Sequence, residues 1–253
     1  MRTRRLARDG DATLVEHVEE LRQRIIVTVA TITVTTAVAY VFHNQILDLL
    51  TRALPASHRQ LTTFGVAEPL SVTIAVCLYA GIVLALPMLL WQVWSFLVPA
   101  LDATAERKIL AFAAFALVLA FVGLAFGYDL LLPRALHYLT DYGTDHFNIQ
   151  IRASSYFSFV AAILLGVVCV FETPLVILAA VNLGVLTSGT MRRNRRKGYF
   201  IVAAAALALP GPDPVTTALE LLPMWILFEG SIWLAVVAER RTARRLGIGG
   251  AAA

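Results

Sequence analysis

The sequence predicts an all-α integral membrane protein with six transmembrane helices and both ends on the cytoplasmic side. Three observations carry this. Hydrophobic residues make up 58% of the 253-residue chain and charged residues 15%, and its mean hydropathy is +0.74. Soluble domains carry about 25% charge, so an aqueous fold has too little polar surface to cover this much apolar surface. The apolar residues gather into six segments, at 25–42, 70–94, 109–132, 156–181, 198–210 and 215–238. Finally, 17 of the 21 Lys and Arg lie at the N-terminus, in the second and fourth connections and after the last segment, against only Arg52, Arg59, Arg134 and Arg152 elsewhere. Positive charge collects on the cytoplasmic side, so both termini are read as inside.

Each element follows in order. Ahead of the first span, Glu16, Glu20 and Arg24 fall at i, i+4 and i+8, on one stripe of a helix. Two readings stay open there: local ion pairs on an interfacial helix, or a carboxylate left for a visiting cation. Arg4-Arg5 resembles the start of a signal peptide, but five acids separate it from the first apolar run, and no removable signal is read. Thr28, Thr31 and Thr35 line one stripe of the first span, as helix–helix contacts do. The connections at 44–69 and 133–155 contain Pro55, Pro69 and Pro133, and are expected to form short interfacial helices and a cap.

The stretch WQVWSFLVPALDATAERK, residues 91–108, joins the second and third spans. It holds Phe96, a bend at Pro99, and Glu106-Arg107-Lys108. A Glu opening a helix gains about 0.3–1 kcal/mol from the helix dipole, which alone accounts for Glu106. If Glu20 and Glu106 converge, however, they suit two guanidinium groups, through charge-assisted hydrogen bonds of about 1.5–3 kcal/mol each. Phe96 adds an apolar or cation–π wall.

In the fourth span, Glu172 precedes Thr173-Pro174. An acid at the bilayer centre costs about 2.5–3.5 kcal/mol, so it is expected to avoid lipid. Pro174 frees the carbonyl near Val170 and kinks the helix, leaving a concave, partly wet face. One reading of Glu172 is a satisfied structural acid, bonded by backbone or threonine side chains. The fifth span is short, with 15 residues between Lys197 and Asp213. The sixth is interrupted by Glu220, Pro223 and Glu229 and is expected to be short too. Glu229 sits near mid-helix, Glu220 nearer the outer interface, and Asp213 caps the sixth helix from the preceding turn. The expected architecture is therefore a concave, glove-like bundle forming one domain over 1–253, with a disordered tail at 247–253. Cys77 and Cys169 read as small buried hydrophobes. Trp91 and Trp94 mark the inner interface, Tyr138 and Tyr142 the outer.

No enzyme is expected: the chain has no His-Glu-x-x-His and no Gly-x-Ser-x-Gly, and Asp129 and Asp213, which faintly suggest a paired-aspartate membrane protease, fall near outer span ends and not at mid-depth. No cofactor, metal or nucleic-acid partner is expected. A proton-coupled small-solute transporter is the alternative, since Glu172 and broken helices fit one. Such a carrier has no use for the inner-face acids beside Phe96.

The motifs HVEELRQR at 17–24, PMLLWQVWSFLVPAL…ERK at 87–108, SYFSFV…FETP at 155–174 and PDP…LPMWILFE at 212–229 resemble, in order and over nearly the whole chain, the TatC family. This is the multispanning subunit of the twin-arginine protein translocase of the inner membrane. The resemblance implies a signal-peptide site at Glu20, Leu21, Arg22, Phe96, Pro99, Glu106 and Arg107 that recognises the Arg-Arg pair of folded cargo. It implies roles for Glu172, Asp213 and Glu229 in contacts with partners. It also implies TatA- and TatB-type single-span subunits, several copies of this chain in one complex, surrounding membrane lipids, and energy from the proton-motive force. The sequence departs from the family at Leu209–Asp213, Thr217, Glu220 and Asp129, which bears on partner contacts at the last two spans.

Overall fold

The computed structural model describes residues 14–97, 105–142, 149–182, 184–208 and 214–245. Its elements are α1 (Leu14–Val41), α2 (His43–Arg52), a 3₁₀ turn (Ala56–His58), α3 (Glu68–Leu97), α4 (Ala105–Ala125), a π-helical segment (Phe126–Leu131), α5 (Leu132–Asp141), α6 (Ala153–Phe171), α7 (Thr173–Asn182), α8 (Ser188–Arg193), α9 (Arg195–Ala208) and α10 (Pro214–Arg245). Among the described residues the only extended pairing is one bridge between Thr62 and Arg152.

Among the described residues, five stretches are long and apolar enough to cross a bilayer: Leu21–Val41, Glu68–Gln92, Phe112–Asp141, Ala153–Val181 and Thr217–Arg240. The fifth predicted segment is not among them. At 14 residues, α9 reaches about 21 Å at 1.5 Å per residue, against about 30 Å of hydrocarbon.

Three expectations about the spans need correcting. The sixth helix is not short: α10 runs unbroken for 32 residues with Pro223 inside it. Neighbouring helices shelter the backbone group a proline frees, so a packed span tolerates one; α3 carries Pro87 in the same way. The third span does not end near 132, because the π-helical segment leads straight into α5. Pro133 lies inside this continuous helix, directly after the π-helical turn, where packed neighbours again tolerate it. Cys169 is exposed while Cys77 is buried. On a helix bathed in lipid, a small apolar side chain needs no protein cover.

The helix break at Glu172 is as expected. Pro174 has no N–H to give Val170, and α6 stops at Phe171 with α7 starting at Thr173. The carbonyl of Glu172 accepts from Leu175 at 3.0 Å and Val176 at 3.1 Å, which restarts the helix. At the far end of α7 a Schellman closure stops it: Val185 N bonds Ala180 O at 2.9 Å and Gly184 N bonds Val181 O at 3.0 Å. Gly184 takes φ +73°, which only glycine adopts cheaply.

Burial separates centre from rim. Half of the apolar window in the α6–α7 span is inside the protein, against 6% for α1, so α6 is the hub and α1 an outlier. Tyr156, Phe157, Val160, Ile163 and Val167 of α6 pack with Val72 and Val76 of α3 and with Leu131, Leu132 and Leu136. Ala116 meets Leu175 and Ala179 in a second cluster. Val181, Met191, Phe228, Ile232 and Ala235 form a third, which fixes α8, α9 and α10 to α7.

The 43–67 connection folds over one end of the bundle as short helices. Tyr128 Oη donates to Leu49 O at 2.7 Å and Tyr156 Oη to Leu50 O at 2.6 Å. Glu68 Oε1 accepts from Arg152 Nε at 2.7 Å, and its Oε2 accepts from Phe64 N at 2.8 Å and Gly65 N at 3.3 Å. The α5–α6 connection is thereby tied to the start of α3.

The outlying α1 is held to α3 by close approach. Thr35 Oγ1 donates to Gly81 O at 2.8 Å. Thr31 bonds its own helix at Val27 O, so only part of the threonine stripe serves the interface. A Cβ at Gly81 would clash with Thr36 Oγ1 and stand 2.8 Å from Thr36 Cα. Gly81→Leu is therefore expected to lower stability by about 1–3 kcal/mol, the usual cost of overpacking. Thermal unfolding of the detergent-solubilised protein reads this, and an unchanged midpoint means that α1 and α3 lie apart.

Candidate functional site

The predicted recognition residues come from three helices meeting at one end of the bundle. Arg24 Nη1 donates to Gln92 O at 2.9 Å, so the start of α1 lies beside the end of α3 and the two run antiparallel. Glu20 is one turn beyond Arg24, and Phe96 one turn beyond Gln92, in the same direction. The α4 helix packs against α3 and opens at Ala105, which brings Glu106 and Arg107 to that end as well. For Glu20, Phe96, Glu106 and Arg107 the structure describes the backbone only. Pro99, Asp213 and the 247–253 tail lie outside the described residues.

Leu21 is 45% exposed, an apolar side chain on the outside of α1. Arg22 Nη1 lies 3.4 Å from both carboxylate oxygens of Glu19, with both side chains more than half exposed. Solvated pairs of this kind contribute little. Trp91, expected at this interface, is 41% exposed. Trp94 is described by its backbone alone.

The intramembrane acids separate into three environments. Glu172 sits in the gap between α6 and α7, and its Oε1 is buried with no hydrogen-bond partner. The bonding by backbone or threonine that would make it a purely structural acid is absent at that oxygen. Glu220, in the first turn of the Thr217–Arg240 stretch, is 3% exposed. It lines a shallow, open-sided cleft with Phe126, Val167, Phe171, Pro223 and Met224. Its burial follows from the packing of α10 against α6 and the π-helical segment.

Glu229 is held within the chain. Arg195 Nη2 lies 3.2 Å from its Oε2, and Tyr199 Oη donates to its Oε1. Tyr199 is itself boxed edge-on by Trp225 and Phe228. About three turns further along α10, Glu239 accepts from Ser188 N at 2.7 Å and from the Ser188 hydroxyl. Sequence reasoning missed Arg195, Tyr199 and Ser188 as partners. Their separations of 34, 30 and 51 residues leave no local pattern, and Arg195 looks like one more member of a basic run.

The family model described as "Sec-independent protein translocase protein (TatC)" matches residues 16–223. The chain belongs to the TatC family. It is 31% identical over 228 residues to the Sec-independent protein translocase protein TatC of Carboxydothermus hydrogenoformans, covering 90% of this chain and 94% of that one. It is also 31% identical over 231 residues to TatCd of Bacillus subtilis, covering 91% and 94%. A crystal structure described as the twin arginine translocase receptor TatC superimposes with a TM-score of 0.76 at 28% identity, over 88% of this chain and all of that one. As a TatC protein the chain is a multi-pass membrane component of a protein translocase and not an enzyme. The small-solute carrier reading falls with that assignment.

The Glu229 cluster is open to a direct check. In a double-mutant cycle on thermal stability, Arg195→Gln and Glu229→Gln are expected to be non-additive, because either change alone leaves the other side chain without its partner. Strictly additive losses count against the pairing of α9 with α10 described above.

Proposed function

We propose that this chain is the receptor and core component of a twin-arginine translocation system. In this reading it binds the Arg-Arg signal peptide of folded precursors at the cytoplasmic face of the inner membrane. It then assembles with TatA- and TatB-type single-span subunits and further copies of itself for export driven by the proton-motive force. The bundle is read as concave, with six crossings and both termini cytoplasmic, α9 spanning where the bilayer is thinned.

The observation that carries this reading is the gathering of two acidic positions from separate segments, Glu20 and Glu106, at one end of the bundle with Phe96 between them in chain order. The superimposed crystal structure is that of a translocase receptor, which supports the same role. Recognition follows from charge and shape. Each carboxylate takes one guanidinium in a forked pair, and Phe96 covers a cation or the adjoining apolar residue. Leu21 extends the apolar wall, Pro99 fixes the bend, and Arg22 and Arg107 keep the two acids from repelling each other apart. Glu172, Asp213 and Glu229 serve contacts with partner subunits. The unsatisfied oxygen of Glu172 is suited to a hydrogen-bond donor from a visiting helix.

Glu106→Gln is expected to abolish crosslinking of a twin-arginine precursor to the full-length protein in membrane vesicles while insertion stays normal, and Phe96→Ala to lose it in parallel. Retained crosslinking in the Glu106 variant overturns the assignment. Glu172→Ala is expected to leave precursor crosslinking intact and to lower transport in the same vesicles; lost crosslinking would put Glu172 in the recognition site.

A further inference from the structure

At the corner between α8 and α9 the chain reads Arg192-Arg193-Asn194-Arg195-Arg196-Lys197. Arg195 is spent on Glu229, the one ion pair the run makes among the described residues. Arg192, Arg193, Arg196 and Lys197 are exposed, and among the described residues none of them makes an ion pair. Glu239, the nearest acid at that end of α10, is engaged by Ser188, and exposed Arg240 follows it. The corner is therefore a strongly positive patch with its local acids already occupied.

The patch is continuous with an apolar surface. Phe200 and Ile201, 75% and 66% exposed, stand one helical turn deeper than Arg196 and Lys197 at i+4, so each cation sits directly above an apolar side chain. On α10 the Arg192 guanidinium lies 5.9 Å from the ring centre of Trp233, which is 62% exposed. Tryptophan beside a basic side chain is a marker of headgroup level. The contacts of Arg195 with Glu229 and of Tyr199 with Trp225 run deeper from there in step.

We propose that the α8–α9 corner is a binding site for an anionic phospholipid, with Arg192, Arg196 and Lys197 holding the headgroup phosphate and Phe200 and Ile201 lying along an acyl chain. A free phosphate matches the cations but leaves the apolar half without a use, so the ligand is a lipid. Basic clusters at the end of a span attract anionic headgroups by this same physics. The site lies on different helices from the signal-peptide positions and does not depend on that reading.

The test uses the full-length protein in neutral detergent, titrated with phosphatidylglycerol or with phosphatidylcholine of the same chains, and bound lipid read by native mass spectrometry. Wild type is expected to bind phosphatidylglycerol more tightly. The Arg196→Gln/Lys197→Gln variant is expected to lose about fivefold in affinity for each basic side chain removed. Arg52→Gln/Arg134→Gln, which removes the same charge from positions elsewhere, is expected to bind as wild type does. Arg192→Gln alone, expected to lose about fivefold, decides the matter should the double variant not fold. Equal binding of the two lipids, or a preference untouched in both corner variants, overturns the proposal. Displacement of phosphatidylglycerol by equimolar inorganic phosphate reassigns the corner to a free anion. Loss of a co-purifying protein with lipid binding unchanged reassigns it to a protein partner.

Discussion

Hydrocarbon offers no hydrogen-bond donor or acceptor, and this constraint governs the structure more than any single contact. A polar group carried into a span must find a partner inside the chain or face a cavity. Thr35 spends its hydroxyl across the helix interface on Gly81, and Ser231, fully buried, returns its own to Leu227 at 2.6 Å. Tyr156 reaches out of the core to the backbone of the capping connection. Glu229 brings Arg195 and Tyr199 with it, and in doing so positions α9, a helix too short to hold itself in a bilayer by hydrophobic length. The polar side chains thus act as the registers between helices, while the apolar ones face lipid and each other without specifying either.

Glu172 stands out against that background. It sits where the helix is already broken, and one of its oxygens is buried and left over. Across the bundle, the end that gathers Glu20, Phe96 and Glu106 is joined to the Glu172 region through α3, α4 and α6, whose packing is continuous. The proposed recognition positions and Glu172 thus belong to one packed body.

Much of the fold is legible in the sequence, because hydropathy and charge placement are local quantities. The first, second and fourth spans, the break at Pro174 and the folded connection at 43–67 all follow from runs of a few residues. What escapes has a common cause. Proline reads locally as a terminator at 133 and 223, whereas its effect depends on whether the freed carbonyl and missing N–H fall where they matter, which is a property of the neighbours. The burial of Glu220 comes from α6 and the π-helical segment, neighbours that its own segment does not reveal. The partners of Glu229 and Glu239 lie tens of residues away and leave no spacing to recognise. The recognition positions are legible only through their resemblance to a family, since an acid at a helix start is ordinary by itself.

The π-helical segment at Phe126–Leu131 has a consequence for how this chain tolerates change in length. A π-turn accommodates one residue more than an α-turn, so everything after it is rotated by about 100°, the angular step of one residue. That rotation aims Leu131, Leu132, Ala135 and Leu136 inward, where each is less than 5% exposed. Deleting a single residue there would let the helix relax to ordinary geometry at no cost to its own hydrogen bonds, yet would swing this inward-facing row away from the core. Insertions and deletions are usually absorbed by loops; here a length-sensitive position lies in the middle of a continuous helix long and apolar enough to cross a bilayer.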